Sequence, residues 1–126
     1  MAKKPKILIV DDEPALLNVV GRMVERLGYT AITTLNGREA LRIIEEDDIE
    51  LLLLDVVLRD ITIVELVNRI TAVRPHRKIV LMSGHFQQLE INISGKIPFL
   101  QKPFTIQELS DALAAVQAGE PAGAAP

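Results

Sequence analysis

Five polar residues stand at the ends of apolar stretches, and their types suit phosphoryl chemistry. Asp11 and Asp12 follow Ile7-Leu8-Ile9-Val10. Asp55 follows Leu51-Leu52-Leu53-Leu54, Ser83 follows Ile79-Val80-Leu81-Met82, and Lys102 comes just after Ile97-Pro98-Phe99-Leu100. Three clustered carboxylates repel one another unless a cation lies among them. With no cysteine or histidine in the cluster, oxygen-only donors select Mg²⁺ or a similar hard ion. Mg²⁺ held by a few carboxylates keeps open positions that take phosphate oxygens. One carboxylate could then attack phosphorus and form an aspartyl phosphate. The metal and Lys102 would neutralise charge on the equatorial oxygens, and the Ser83 hydroxyl could donate to a third oxygen. Each residue also has a plainer reading. Asp11, Asp12 or Glu13 could cap a helix, Asp55 could be a solvated loop acid, Ser83 a turn residue and Lys102 a surface lysine. Their coincidence at one edge favours the chemistry.

That coincidence depends on the elements between them. The unbroken apolar runs suit strands buried on both faces, as in a parallel sheet. Thr30–Leu35 is more polar and reads as an edge strand, and 97–100 as a short edge strand because Pro98 cannot donate to a ladder. Helical patterns alternate with the runs. One carries Leu16, Val20, Met23 and Leu27, with Pro14 in its first turn and Gly28 at its stop. Another opens at Asn36, which with Glu39 resembles a capping box, and carries Leu41 and Ile44. Thr62 with Glu65 and Thr105 with Glu108 read as full capping boxes. The first box leads to Leu66, Val67, Ile70 and Val73; the second leads to Leu109, Leu113 and Val116. Gln87–Ser94 has no clear period, so the fourth helix is expected to be short or irregular. The alternation predicts an α/β fold, a doubly wound five-stranded parallel sheet with helices on both faces and right-handed crossovers. Ligands of such sheets bind at the carboxyl ends of the strands.

Composition narrows the field further. At 126 residues the chain is one domain, and it carries no cysteine, so disulfides and thiol chemistry are excluded. The net charge of −3 argues against nucleic acid or an anionic membrane as the main partner. Aromatic residues make up 3%, which excludes base-stacking platforms and leaves the core to Leu, Ile and Val. Lys3, Lys4 and Lys6 precede an apolar run too short for a signal peptide, and no stretch approaches the ~18 residues of a membrane span. A cytoplasmic location is expected. Residues 118–126, rich in Ala, Gly and Pro, read as a tail or linker after a domain over 1–117.

The segments ILIVDDEP (7–14), LLLLDVVL (51–58), VLMSGH (80–85) and FLQKPF (99–104) resemble the receiver domain of two-component response regulators. The resemblance spans roughly residues 5–117 and implies the CheY-like, flavodoxin-like strand order 2-1-3-4-5. It implies that Asp55 is the phosphoacceptor in a phosphorelay, taking a phosphoryl group from a phosphohistidine of a sensor histidine kinase or histidine phosphotransfer protein. Asp12 would bind Mg²⁺ directly, Asp11 mainly through water, and Val57 through its backbone carbonyl, with Asp55 itself completing the set. Ser83 and Lys102 would bond the phosphoryl group, and Ser83 with Phe99 would form the switch. Val57, Gly84 and His85 would flank the phosphate, apolar Val57 attracting no hydrolytic water and His85 able to orient one. The fourth helix, fifth strand and fifth helix would meet a downstream effector domain or protein, or a second copy in a homodimer. Such a domain is a regulator that assists its own phosphorylation and dephosphorylation rather than an enzyme acting on others.

Two departures from the family stand out. Receivers usually carry Pro four residues and Gly eight residues after the acceptor; here Arg59 and Ile63 stand there. Since Ile does not take the φ > 0 conformations open to Gly, the loop after Asp55 is expected to run differently. The alternative function is a pseudo-receiver, a protein-binding module of a larger regulator or hybrid kinase that does not switch by phosphorylation. A phosphatase with an aspartyl intermediate would want a second acid where Val57 stands, and a flavin carrier a phosphate loop where Asp11-Asp12-Glu13 would repel the ligand.

Overall fold

The protein is described from a computed structural model that covers residues 4–84 and 97–118. Among these, five strands pair in parallel: β1 (Lys6–Val10), β2 (Thr30–Thr34), β3 (Leu51–Asp55), β4 (Lys78–Ser83) and β5 (Phe99–Gln101). Their order is β2-β1-β3-β4-β5, the doubly wound order. The helices are α1 (Pro14–Arg26), α2 (Gly37–Glu46), α3 (Ile63–Val73) and α4 (Ile106–Gln117). The expected helix over Gln87–Ser94 lies outside the described residues, so α4 is the one that the sequence reading numbers fifth.

Alternation along the strands divides the core. Leu8, Val10, Leu52, Leu54, Ile79 and Leu81 face α2 and α3. Ile7, Ile9, Leu51, Leu53, Val80 and Met82 face α1 and α4. Strands buried on both faces must be apolar at every position, which accounts for the unbroken runs. Edge strand β2 is more polar, as expected. Edge strand β5 begins two residues later than expected. Pro98 has no N–H to give, but its carbonyl accepts from Leu81 N–H at 2.9 Å, and regular pairing begins at Phe99 opposite Leu81.

The helices largely follow the sequence reading, with four corrections. In α1 the buried stripe is Leu17, Val20, Gly21 and Val24, while Leu16, Met23 and Leu27 lie at its margin. Gly21 faces β2, and a Cβ there would meet Ala31 and Thr33 at 3.9 Å, an ordinary van der Waals contact. The box at Thr62 is half made. Its hydroxyl accepts from Glu65 N–H at 3.1 Å, but the Glu65 carboxylate lies 3.5 Å from Arg69. Val73, expected in the core, is exposed. At Asn36 the side chain accepts from Glu39 N–H at 2.8 Å, while the Glu39 carboxylate takes the Thr34 hydroxyl. Only Thr105 and Glu108, at the start of α4, make both bonds, at 2.8 and 3.0 Å. Gly28 ends α1 with φ +99, where a side chain would strain the backbone.

The loop from β3 to α3 is pinned to the start of α2. Asp60 accepts from the N–H groups of Gly37 and Arg38 at 3.0 and 2.9 Å, satisfying two orphan donors of α2 from 22 and 23 residues away. Ile61 then packs against Gly37, where a Cβ would lie 2.4 Å from the Ile61 Cγ2 methyl. Ile63, in place of the family's usual glycine, opens α3 with its side chain buried, and no described non-glycine residue has a positive φ. The loop therefore needs no glycine there. Gly37→Ala should cost about 1–3 kcal/mol by overpacking. Urea unfolding would show a lower midpoint at unchanged slope, and a loss less than additive with Ile61→Ala.

Candidate functional site

The carboxyl ends of β1, β3, β4 and β5 bring the polar residues together. Asp55 is the last residue of β3 and Ser83 the last of β4, so the same chain direction that buries their apolar neighbours delivers both to one edge. Asp11 follows β1, and its N–H donates to the Thr34 carbonyl of β2 at 3.2 Å. Lys102 follows β5, held by its N–H to the Ser83 carbonyl at 2.8 Å. The Lys102–Pro103 peptide bond is cis.

The plainer readings of these residues fail on burial. Asp11 is fully buried, Asp55 is 5% exposed and Ser83 1% exposed. The Lys102 side chain is 15% exposed, so it is no surface lysine. One plain reading holds in part, since Asp11 Oδ1 accepts from the Glu13 N–H at 3.0 Å beside the start of α1. Its other oxygen accepts from Lys102 Nζ at 2.7 Å, and Lys102 Nζ also lies 3.4 Å from Asp55 Oδ1. Asp12 is half-buried, and its Oδ2 lies 3.3 Å from Arg59 Nε. Phe99 is half-buried against the core on the α2–α3 side. The Val57 side chain is exposed, Gly84 is exposed with no described atom within 4 Å of where a Cβ would be, and His85 lies outside the described residues.

Electrostatics follow from this crowding. Burial pushes the Asp55 carboxyl up from 3.8 to about 6. Lys102 opposes the rise, the Asp11 charge adds to it, and the Val57 N–H opposes it. Burial alone would depress Lys102. Its hydrogen bond to Asp11 and the charges of Asp55 and Asp11 outweigh that and hold it above its ordinary value. One oxygen each from Asp11, Asp12 and Asp55 lie within 4.8 Å of one another. Lys102 and the exposed Arg59 still leave the three acids in excess. An oxygen-only, anion-rich donor set of this kind fits a hard divalent cation such as Mg²⁺.

Two features of the site escaped the sequence reading. Arg59 was visible as a departure, but its pairing with Asp12 was not. Asp60, the residue that caps α2, carried no signal, because the helix it serves lies far back along the chain.

Comparison with known proteins gives a consistent picture. The family model described as "Response regulator receiver domain" matches residues 7–114. The chain is 31% identical over 106 residues to the DNA-binding transcriptional regulator NtrC of Azospirillum brasilense, covering 82% of this chain and 22% of that protein. It is 28% identical over 111 residues to sporulation initiation phosphotransferase F of Bacillus subtilis, covering 86% and 90%. It spans about a quarter of the length of the first curated relatives, including the transcriptional regulatory protein GlrR of Escherichia coli. Among solved structures, a response regulator receiver protein from Sinorhizobium medicae aligns with TM-score 0.84 at 22% identity, covering 92% of this chain and 96% of that one. The response regulator TrrA of Thermotoga maritima, in complex with Mg²⁺-BeF, aligns with TM-score 0.81 at 24% identity, covering 89% and 98%.

The raised Asp55 value carries a stability consequence in metal-free buffer. The folded state holds the proton more tightly than the unfolded chain, so between about pH 4 and pH 6 it binds more protons. The contribution of Asp55 to stability therefore falls as pH rises through that window. Asp55→Asn should raise the melting temperature by several degrees at pH 7.5 and leave it nearly unchanged at pH 4. An equal effect at both pH values would contradict the burial argument.

Proposed function

Because the chain belongs to the response regulator receiver family, we propose that it is a phosphoacceptor signalling domain whose acceptor is Asp55. The observation that carries this reading is the convergence of Asp11, Asp12 and Asp55 on one edge, with Lys102 inserted between Asp11 and Asp55 at 2.7 and 3.4 Å. An Asp55 oxygen attacks the phosphorus of a phosphohistidine. The P–O bond forms, the P–N bond breaks, and the electron pair returns to the imidazole. The donor is a sensor histidine kinase or a histidine phosphotransfer protein.

Asp11, Asp12, Asp55 and the Val57 carbonyl are the groups that would hold Mg²⁺. When bound, the ion neutralises phosphoryl oxygens that would otherwise face the acid pair. Lys102 stays protonated, as its raised pKa favours, and supplies a fixed positive charge to another phosphoryl oxygen. The Ser83 hydroxyl, at the end of the neighbouring strand, donates to a third. In this reading Ser83 moves toward the phosphoryl group and Phe99 turns inward behind it, changing the face that carries β5 and α4. That face would meet a downstream effector domain or protein, or a second copy. The domain acts as a regulator that assists its own phosphorylation and dephosphorylation. Residues 1–117 make up this unit and 118–126 its tail or linker.

A pseudo-receiver that binds partners without switching is the competing reading, and the hold of Arg59 on Asp12 favours it. Incubation with acetyl phosphate and Mg²⁺ followed by intact mass separates the two. A single phosphate adduct is expected in the wild type and none in Asp55→Asn. Lys102→Ala should slow its formation at least ~100-fold, the scale of losing one preorganised charge. A wild type that stays unmodified supports the pseudo-receiver. The apolar Val57 side chain at the mouth gives a further expectation: Val57→Asn, which can orient water, should shorten the lifetime of the adduct in a decay assay.

A further inference from the structure

Arg59 occupies a place of its own in this site. It stands where receivers usually carry proline, and its Nε lies 3.3 Å from Asp12 Oδ2. The Arg59 side chain is 91% exposed and that of Asp12 23% exposed, so the guanidinium approaches from solvent over the mouth of the acid cluster. Its backbone is not free to drift away. The next residue, Asp60, is fastened to the Gly37 and Arg38 N–H groups, and the Arg38 Nε donates to the Asp60 carbonyl at 3.3 Å. Ile61 after it is buried against Gly37. The loop thus carries a permanent cation to the most accessible member of the acidic trio.

We infer that Arg59 is a tethered competitor for the divalent cation at Asp12, which raises the Mg²⁺ concentration at which the site fills. The inference rests on the reading of Asp11, Asp12 and Asp55 as the metal site. A metal ion that takes the Asp12 oxygen must displace the guanidinium and then sit close to it. Both effects weaken metal binding. Arg59 does not need to leave the protein surface for this exchange, since its side chain already lies in water and can swing outward. Exposed ion pairs are individually weak, so the expected effect is a tuning of affinity by about two- to fivefold rather than a block. Salt should reduce it, because screening acts on the exposed pair more than on the buried Lys102 pairs.

Isothermal titration calorimetry with Mg²⁺ alone, on the intact chain, tests this. Arg59→Ala should bind Mg²⁺ about two- to fivefold more tightly than the wild type in low salt, with the gap narrowing as KCl is added. Arg42→Ala makes the same change in net charge, but Arg42 pairs with Glu39 instead, at 3.6 Å, and its affinity should match the wild type. Unchanged or weaker binding in Arg59→Ala, beside a wild type that binds, overturns the inference and leaves the reading of the site standing. An equal gain in Arg42→Ala also overturns it, since net charge alone would then account for the effect. Absence of metal binding in the wild type and in Arg59→Ala alike overturns the reading of the site, and the inference with it.

Discussion

Three carboxylates at the edge of one sheet is an unfavourable arrangement, and the lysine among them is what makes it tenable. Lys102 bonds Asp11 and lies beside Asp55, and its backbone N–H is tied to the Ser83 carbonyl. Its ammonium opposes the rise of the Asp55 value that burial causes, but does not cancel all three acids. The residual negative charge is the property that a cation and a phosphoryl group can exploit. A fully neutralised cluster would be more stable and chemically inert.

The rest of the fold serves that cluster by making the edge rigid. β1, β3 and β4 are apolar on both faces and each lies between two neighbours, with Ile7 opposite Leu51 and Leu51 opposite Lys78. The core on either side fixes where each strand ends. Tyr29 and Lys78 both reach Gln117 at the end of α4, closing the opposite end of the layer that carries Lys102. The acids and the lysine therefore arrive by different routes on a frame that does not yield independently at each point.

Much of this was legible in the sequence because the signals are local. An apolar run and the acid directly after it are neighbours in the chain, so strand, strand end and site residue were read together. The same applies to Thr105 with Glu108. What escaped reading depends on contacts across the fold. Asp60 caps a helix that begins 23 residues earlier, and nothing in either segment announces the partnership. Arg59 meets Asp12 only because two loops emerge from adjacent strands. The half-made box at Thr62 illustrates a further limit: Glu65 has an arginine one turn away as an alternative partner, and local pattern does not decide between them. The rotation of α1 was missed for a related reason. Gly21 has no side chain to mark a buried face, yet it lies on the face that packs against β2.

The fastening of residues 60 and 61 to Gly37 has a meaning for inheritance as well as for mechanics. The loop after Asp55 and the first turn of α2 are separated in the chain but behave as one unit. A graft of Arg59–Ile63 into another receiver would fail to seat unless the recipient also offered a glycine at the opening of its second helix. Relatives that share this loop should share that glycine, and the pair would be exchanged or lost together.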